Sequence, residues 1–200
     1  MHRNGRESRV NTLIVNENPG SLEDYARVPI SFTARVIYEV SVSLSGEIAL
    51  AERELATLIE KDYDATSDIP TAWASSFDIS TWGFFAAYAD GVRVGGAAVA
   101  IGTPELEMLE GRDDLALLWD LRIAPDYRGR GIGGALIAAA EKWSKANGAT
   151  TLKVETQNIN IPACRRYAQS GFVLRTANFG AYSDFPDEVQ LLWYKDLSTS

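Results

Sequence analysis

Four of the seven residues 128–134 are glycine, in the order Arg128-Gly129-Arg130-Gly131-Ile132-Gly133-Gly134. They stand between an apolar run, 115–123, and an alanine-rich run, 132–147, that ends at Gly148. Glycines at this density weaken both strand and helix, so the chain must turn sharply here and pass from a strand into a helix. The first N–H groups of that helix lack intrahelical partners, and the helix dipole favours an anion beside them. Arg128 and Arg130 add fixed positive charge suited to phosphate oxygens. The chain contains no Gly-Lys-Ser/Thr, which excludes a Walker loop. The even spacing of Gly129, Gly131 and Gly133 fits a dinucleotide fingerprint poorly, and no acidic ribose partner follows on a second parallel strand. A pyrophosphate carrier of another kind, or simply a tight connection, remains open from the loop alone.

The rest of the chain narrows the chemistry. A single cysteine, Cys164, excludes an intrachain disulfide, and a single histidine, His2, excludes most histidine catalysis and zinc sites, so no metal is expected. A general base must therefore be Asp, Glu, Lys, Tyr or water. Nineteen basic against 27 acidic residues give a net charge of -8, which argues against nucleic acid and is compatible with a small cationic partner. No apolar run reaches membrane-spanning length, and the basic, polar segment 1–10 lacks the apolar stretch of a secretory signal. No membrane association and a cytoplasmic location are the expectations.

Residues 1–30 read as an N-terminal tail or edge element, with a short apolar run at Leu13-Ile14-Val15, and 31–200 as a single domain. Alternation predicts a strand over 32–44. Residues 48–59 fit either a helix, from the spacing of Ile48, Ala51, Leu55, Leu58 and Ile59, or the second arm of a hairpin through 43–46. Asp90-Gly91 joins two predicted antiparallel strands, 84–89 and 92–101. The acidic segment 102–114 has no clean period and reads as a surface excursion. Further strands are predicted over 115–123, 151–156, 172–175 and 189–194, with helices over 132–147 and 161–170, the second stopped by Gly171.

Arg128-x-x-Gly131-x-Gly133, following Leu121-Arg122-Ile123-Ala124-Pro125, resembles the acetyl-CoA motif of the GNAT acyltransferases. Asn160, Ala163, Tyr167, Gly171 and Phe172 are similar to the same family's downstream pattern, again after a strand. The resemblance implies an α/β (α+β) fold: a mixed, mostly antiparallel central sheet flanked by helices, whose two middle strands splay to admit the pantetheine arm. It implies acetyl-CoA as co-substrate, held by Leu121, Ile123, Arg128, Gly129, Arg130, Gly131, Ile132, Gly133, Gly134, Asn160 and Tyr167. Homodimers are frequent in the family, and one is the expectation by analogy.

Over roughly the last ninety residues, Val154-Glu155-Thr156-Gln157-Asn158-Ile159-Asn160-Ile161-Pro162-Ala163-Cys164 and Tyr182-Ser183-Asp184-Phe185-Pro186 resemble streptothricin acetyltransferases more closely. Before Phe84 the likeness is loose. At Trp119 those enzymes usually carry glutamate, and the excursion 102–114 is a further departure.

Acetyl transfer to an amine needs a neutral nucleophile, a stabilised oxyanion and a proton for the departing thiolate. Glu155 is the first candidate for the base, with Asp120 on the neighbouring strand as a second carboxylate able to share a diammonium substrate. The bland reading of either carboxylate is an ion pair with Lys153 or Arg122. The resemblance gives Tyr167 the proton-donor role, Asn160 a bond to the pantetheine arm, and Tyr182 and Asp184 a substrate-facing loop. Main-chain N–H near Ile123 would bind the acetyl carbonyl. Cys164 reads as a small hydrophobe, so direct transfer is expected, and Trp73, Trp82 and Trp119 read as core. The sequence supports an N-acetyltransferase of a small cationic amine, streptothricin-type antibiotics included. A transferase of protein N-termini or polyamines, or a non-catalytic acyl-CoA-binding module, stays open beside it.

Overall fold

The computed structural model describes residues 12–65 and 69–198. His2 and the basic segment 1–10 lie outside them. Nine strands and four α-helices follow in the order β1 (Thr12–Glu17), α1 (Leu22–Ala26), β2 (Phe32–Val42), β3 (Ile48–Lys61), α2 (Trp73–Ser76), β4 (Gly83–Ala89), β5 (Val92–Ala100), β6 (Leu115–Ile123), α3 (Ile132–Ala146), β7 (Thr151–Gln157), α4 (Ile161–Gln169), β8 (Val173–Phe179) and β9 (Val189–Asp196). Seven strands form one sheet in the order β1-β4-β5-β6-β7-β9-β8, and β2 with β3 forms a separate ribbon. Every pairing is antiparallel except β6 with β7.

Alternation along the middle strands divides the core between the two faces of the sheet. Ala97 and Val99 of β5 and Ala116 and Leu118 of β6 face one cluster, which takes in Leu136, Ile137 and Ala140 of α3 and Tyr167 of α4. Ala98, Ala100, Leu115 and Leu117 face the other, with Tyr25, Trp73, Trp82 and Phe84. Both faces of these strands are covered, which explains why their sequences read as nearly continuous apolar runs.

The segment 48–59 is strand, not helix. Gly46 N–H donates to Ser43 O at 2.9 Å, and β3 then runs back along β2. The register explains the helical look of its apolar residues. The step from Ala34 to Val36 on β2 faces the step from Ile59 to Glu54 on β3, so the residues between them bulge out of the ladder and reset the period-2 phase. The excursion 102–114 runs over the surface as expected, but it is anchored: Leu106 and Leu109 are buried in the second cluster. Lys153 Nζ, 3% exposed as a side chain, binds Met108 O at 2.9 Å and Glu110 Oε1 at 2.8 Å, which fastens the segment to β7. The predicted strand 172–175 extends to Phe179 because β9 offers it partners that far.

One buried amide helps to fix the ribbon to the main sheet, beside the Lys61–Glu188 ion pair. Asn158 Nδ2 donates to Tyr38 O at 2.9 Å, its Oδ1 accepts from Val189 N–H at 2.8 Å, and its backbone O accepts from Tyr38 N–H at 2.9 Å. β2, β7 and β9 therefore meet at a single residue beside the site.

Candidate active site

The two parallel strands stay together only over Leu115–Leu118 against Thr151–Val154. Beyond that point no ladder joins β6 to β7, and a cavity of about 660 Å³ opens between them. A bulge assists the divergence: Ala98 pairs with Asp120 and Val99 with Leu118, leaving Trp119 as the extra residue of β6. Such a bulge bends its strand and re-aims its neighbours. The divergence leaves the cavity-side backbone of Leu121 and Ile123 without a strand partner, next to the loop that starts α3.

Gly131 is the N-cap of α3, with φ +87°, a backbone state in which side chains are strained. Gly129, Gly131, Ile132 and Gly133 line the cavity floor, while Arg130 and Gly134 lie outside its lining. Gly133 marks a close approach, since a Cβ there would stand 3.1 Å from Ile123 Cδ1. Of the two loop arginines Arg128 lines the cavity and also makes bonds to the protein. Arg128 Nε donates to Ile123 O at 2.9 Å and its Nη2 to Ser31 O at 2.8 Å, so this side chain ties the loop to β6 and to the entry of β2. Arg130 lies over the Tyr127 ring at 5.2 Å. The guanidinium that faces the start of α3 belongs to Arg166 of α4. It lines the cavity, its Nη1 is 3.6 Å from where a Gly134 Cβ would stand, and it has no hydrogen bond or ion pair among the described residues.

Asn160 caps α4, its Oδ1 accepting from Ala163 N–H at 3.2 Å, and it also borders the cavity. One turn on, Tyr167 reaches the same space. Burial pushes its phenol well above the ordinary tyrosine range, and the nearby Tyr63, Cys164 and Asp120 act in the same direction. The group therefore stays protonated, and its hydroxyl has no protein partner among the described residues. The Cys164 thiol is pushed up to about 12 by burial, which leaves essentially no thiolate.

Across the cavity Glu155 is held by two donors: the Tyr182 hydroxyl at 2.6 Å on Oε1 and Gln190 Nε2 at 2.9 Å on Oε2. Asn178 Nδ2 bonds Gln190 Oε1 at 2.7 Å, and Gln157 Nε2 bonds the Tyr182 oxygen at 3.1 Å. Gln157 Oε1 in turn accepts a short bond from the Tyr63 hydroxyl. Burial and the charge of Glu155 raise the Tyr182 phenol, so it serves as a donor. Lys153 is not a partner of Glu155, because it faces Glu110.

Asp120 has its own counter-ion. Arg122 grips it with two parallel bonds, 2.9 and 2.8 Å, and Tyr25 OH donates to it at 2.6 Å. Tyr25 lies against Gly96 on the adjacent strand, where any Cβ would collide with its ring. Burial alone would lower the Arg122 guanidinium, but the bonds and charge of Asp120 raise it overall, so Arg122 stays charged. Asp184 is exposed and does not reach the cavity.

Tyr63 and Asp64 had no signal in the sequence as site residues. With Phe32, Trp73 and Trp119 they line the cavity with acidic and aromatic groups. Trp73 and Trp119 meet edge to face at 6.3 Å, and Trp119 also stands over Trp82 at 5.7 Å. Both Trp73 and Trp119 thus belong to core and cavity together. Among the described residues no group of His, Cys, Asp and Glu is arranged to hold a metal, and no helix is long and apolar enough to cross a membrane.

Comparison with known proteins places the cavity in context. The profile of the acetyltransferase (GNAT) family matches residues 50–172. Streptothricin acetyltransferase of Streptomyces lavendulae is 29% identical over 181 residues, 90% of this chain and 90% of that protein. Streptothricin acetyltransferase A of Bacillus subtilis is 42% identical over 81 residues, 40% of this chain, and the match spans 47% of that relative's length. A solved structure from Bacillus anthracis, in complex with acetyl coenzyme A, superposes with a TM-score of 0.74 at 22% identity, covering 92% of this chain and 99% of that one.

Proposed function

Because this chain belongs to the acetyltransferase (GNAT) family and is an acetyl-CoA-dependent N-acetyltransferase, we propose that its acceptor is a primary amine of a small cationic molecule of the streptothricin class. One observation carries this reading. Glu155, fixed by Tyr182 and Gln190, faces the same cavity as the glycine cradle, in a wall that joins carboxylates to aromatic rings. The names of relatives that match nearly the whole chain support the same acceptor class.

The residues present fit the co-substrate. The cradle at Gly131 and Gly133 carries no Cβ, which lets phosphate oxygens approach the N–H groups at the start of α3, and Arg166, unpaired among the described residues, is a cation beside it. The Leu121 and Ile123 edge of β6 offers main-chain donors and acceptors to a pantetheine arm, with the amide of Asn160 opposite. Bound acetyl-CoA supplies an acetyl group activated as a thioester.

The protein supplies the proton transfers and the positioning. Glu155 takes a proton from the acceptor ammonium, directly or through a water, and its two donors aim it. A main-chain N–H near Ile123 stabilises the oxygen that gains charge. Tyr167, neutral and turned to the cavity, gives its proton to the departing sulfur and regains one from the acceptor nitrogen as the amide forms. With Cys164 protonated and buried, acetyl passes to the amine in one transfer, without an acyl-enzyme.

An amine panel monitored by free thiol release tests the proposal. Streptothricin is expected to give the highest kcat/KM, above peptides with free N-termini and above polyamines. Thiol release with peptides alone would move the acceptor to protein N-termini. Binding of acetyl-CoA with no turnover on any amine would make the protein an acyl-CoA-binding module.

A further inference from the structure

We propose that Asp64, not Asp120, is the carboxylate that receives a second ammonium group of the acceptor and so selects for substrates with more than one positive charge. The inference rests on the function proposed above and names a specificity residue within it.

The argument is one of saturated and unsaturated acceptors. Asp120 takes three hydrogen bonds from Arg122 and Tyr25, two of them the parallel fork that arginine makes best, and its side chain is only 10% exposed. An ammonium approaching it would compete with a guanidinium whose own side chain is 2% exposed and has no water to fall back on. Asp120 is therefore spent as a recognition group. Arg122 has one nitrogen left, Nη1, and shares it among Val28 O at 3.1 Å, Asp64 Oδ1 at 3.2 Å and Asp64 Oδ2 at 3.4 Å. Contacts this long, divided over three acceptors, locate Asp64 without filling its lone pairs.

Charge follows the same division. Asp64, Asp120 and Arg122 together carry one net negative charge. Its accessible part lies on Asp64, whose side chain is 27% exposed and borders the cavity. The neighbouring rings of Phe32 and Tyr63, 5.8 Å apart, suit the methylenes and the cationic end of a flexible amine. The bond between Tyr63 and Gln157 links the turn that carries Asp64 to the strand that carries Glu155. One carboxylate is thus placed for the reacting amine and another, from a different element of the same cavity, for its charged partner.

Asp64→Asn tests this while keeping an oxygen for Arg122. Steady-state kinetics with streptothricin should show KM raised about tenfold, kcat within about twofold of wild type, and KM for acetyl-CoA unmoved. The rise of streptothricin KM with ionic strength should be shallower in the variant, because one charge has left the interaction. Asp64→Glu, which restores the charge, should recover most of the lost affinity. Wild-type KM in a folded Asp64→Asn protein, or in Asp64→Ser should the first not fold, would overturn the assignment. So would a fall in kcat and melting temperature with KM preserved, which marks a structural role. If the wild-type enzyme acetylates no polycationic amine, the proposed function falls and takes this inference with it. If it does and the variants match it, only the role of Asp64 falls.

Discussion

The two walls of the cavity are made of different material. One is main chain: the free edge of β6 after Leu118, the turn at Gly131 and the first N–H groups of α3, all within a single stretch of sequence. The other is side chain: Phe32, Asp64, Trp73, Trp119 and Glu155 arrive from separate elements, and the bonds that hold them, such as Tyr63 to Gln157 and Tyr25 to Asp120, cross more than ninety residues. On the function proposed above, the wall of amides would recognise what every substrate pair shares, the co-substrate, and the wall of side chains what differs between acceptors.

Variants on either side should separate these roles, and the largest effect is expected at the seam. Tyr167→Phe removes only the hydroxyl that faces the cavity, so kcat should fall at least about 100-fold. Acetyl-CoA affinity, measured by calorimetry, should stay within about twofold. Unchanged kcat would remove the proton-donor role and leave Tyr167 as core. Next in size, Gly131→Val forces a β-branched residue to φ +87° at the N-cap. Strain of about 1–3 kcal/mol, or a loop that escapes it, should weaken acetyl-CoA binding roughly tenfold to 100-fold. Streptothricin KM at saturating acetyl-CoA should barely move, and an equal loss for both substrates would mean that the walls are not independent. Smallest, Gln190→Leu deletes one of the two bonds that aim Glu155. Turnover should drop about fivefold with acetyl-CoA affinity intact, in line with the roughly 1 kcal/mol of one hydrogen bond. A change in co-substrate affinity instead would connect β9 to the wrong wall.

The difference in material also explains what could be read in advance. The strand, glycine loop and long helix were legible because capping, turning and helix propensity act over a few residues. The ribbon was only half legible, because the bulge between Glu54 and Ile59 gives β3 a period that mimics a helix. The segment 102–114 is the surface excursion its charge suggests, but its anchors were not legible: five acids conceal the two leucines that hold it, and the buried Lys153 that pairs with Glu110 lies some forty residues away. Glu155 and Tyr167 were found by resemblance, and the structure sets both on the cavity. Arg128, read as a phosphate ligand, lines the cavity and also braces Ile123 to Ser31, whereas Arg166, inconspicuous in α4, faces the start of α3 as well. Trp119, read as core, does pack on the second cluster, and only the β5–β6 register shows that it is also the bulged residue at the opening.

By itself the sequence determined where the chain turns, which face of each element is apolar, and that a helix would begin behind a cradle of glycines. Those outcomes depend on neighbours that the covalent chain already supplies. Only the tertiary structure decided which carboxylate is spent on Arg122, which remains open to the cavity, and which donors aim Glu155. A charged group takes its character from whatever lies within a few ångströms of it, and for these residues that company comes from distant parts of the chain.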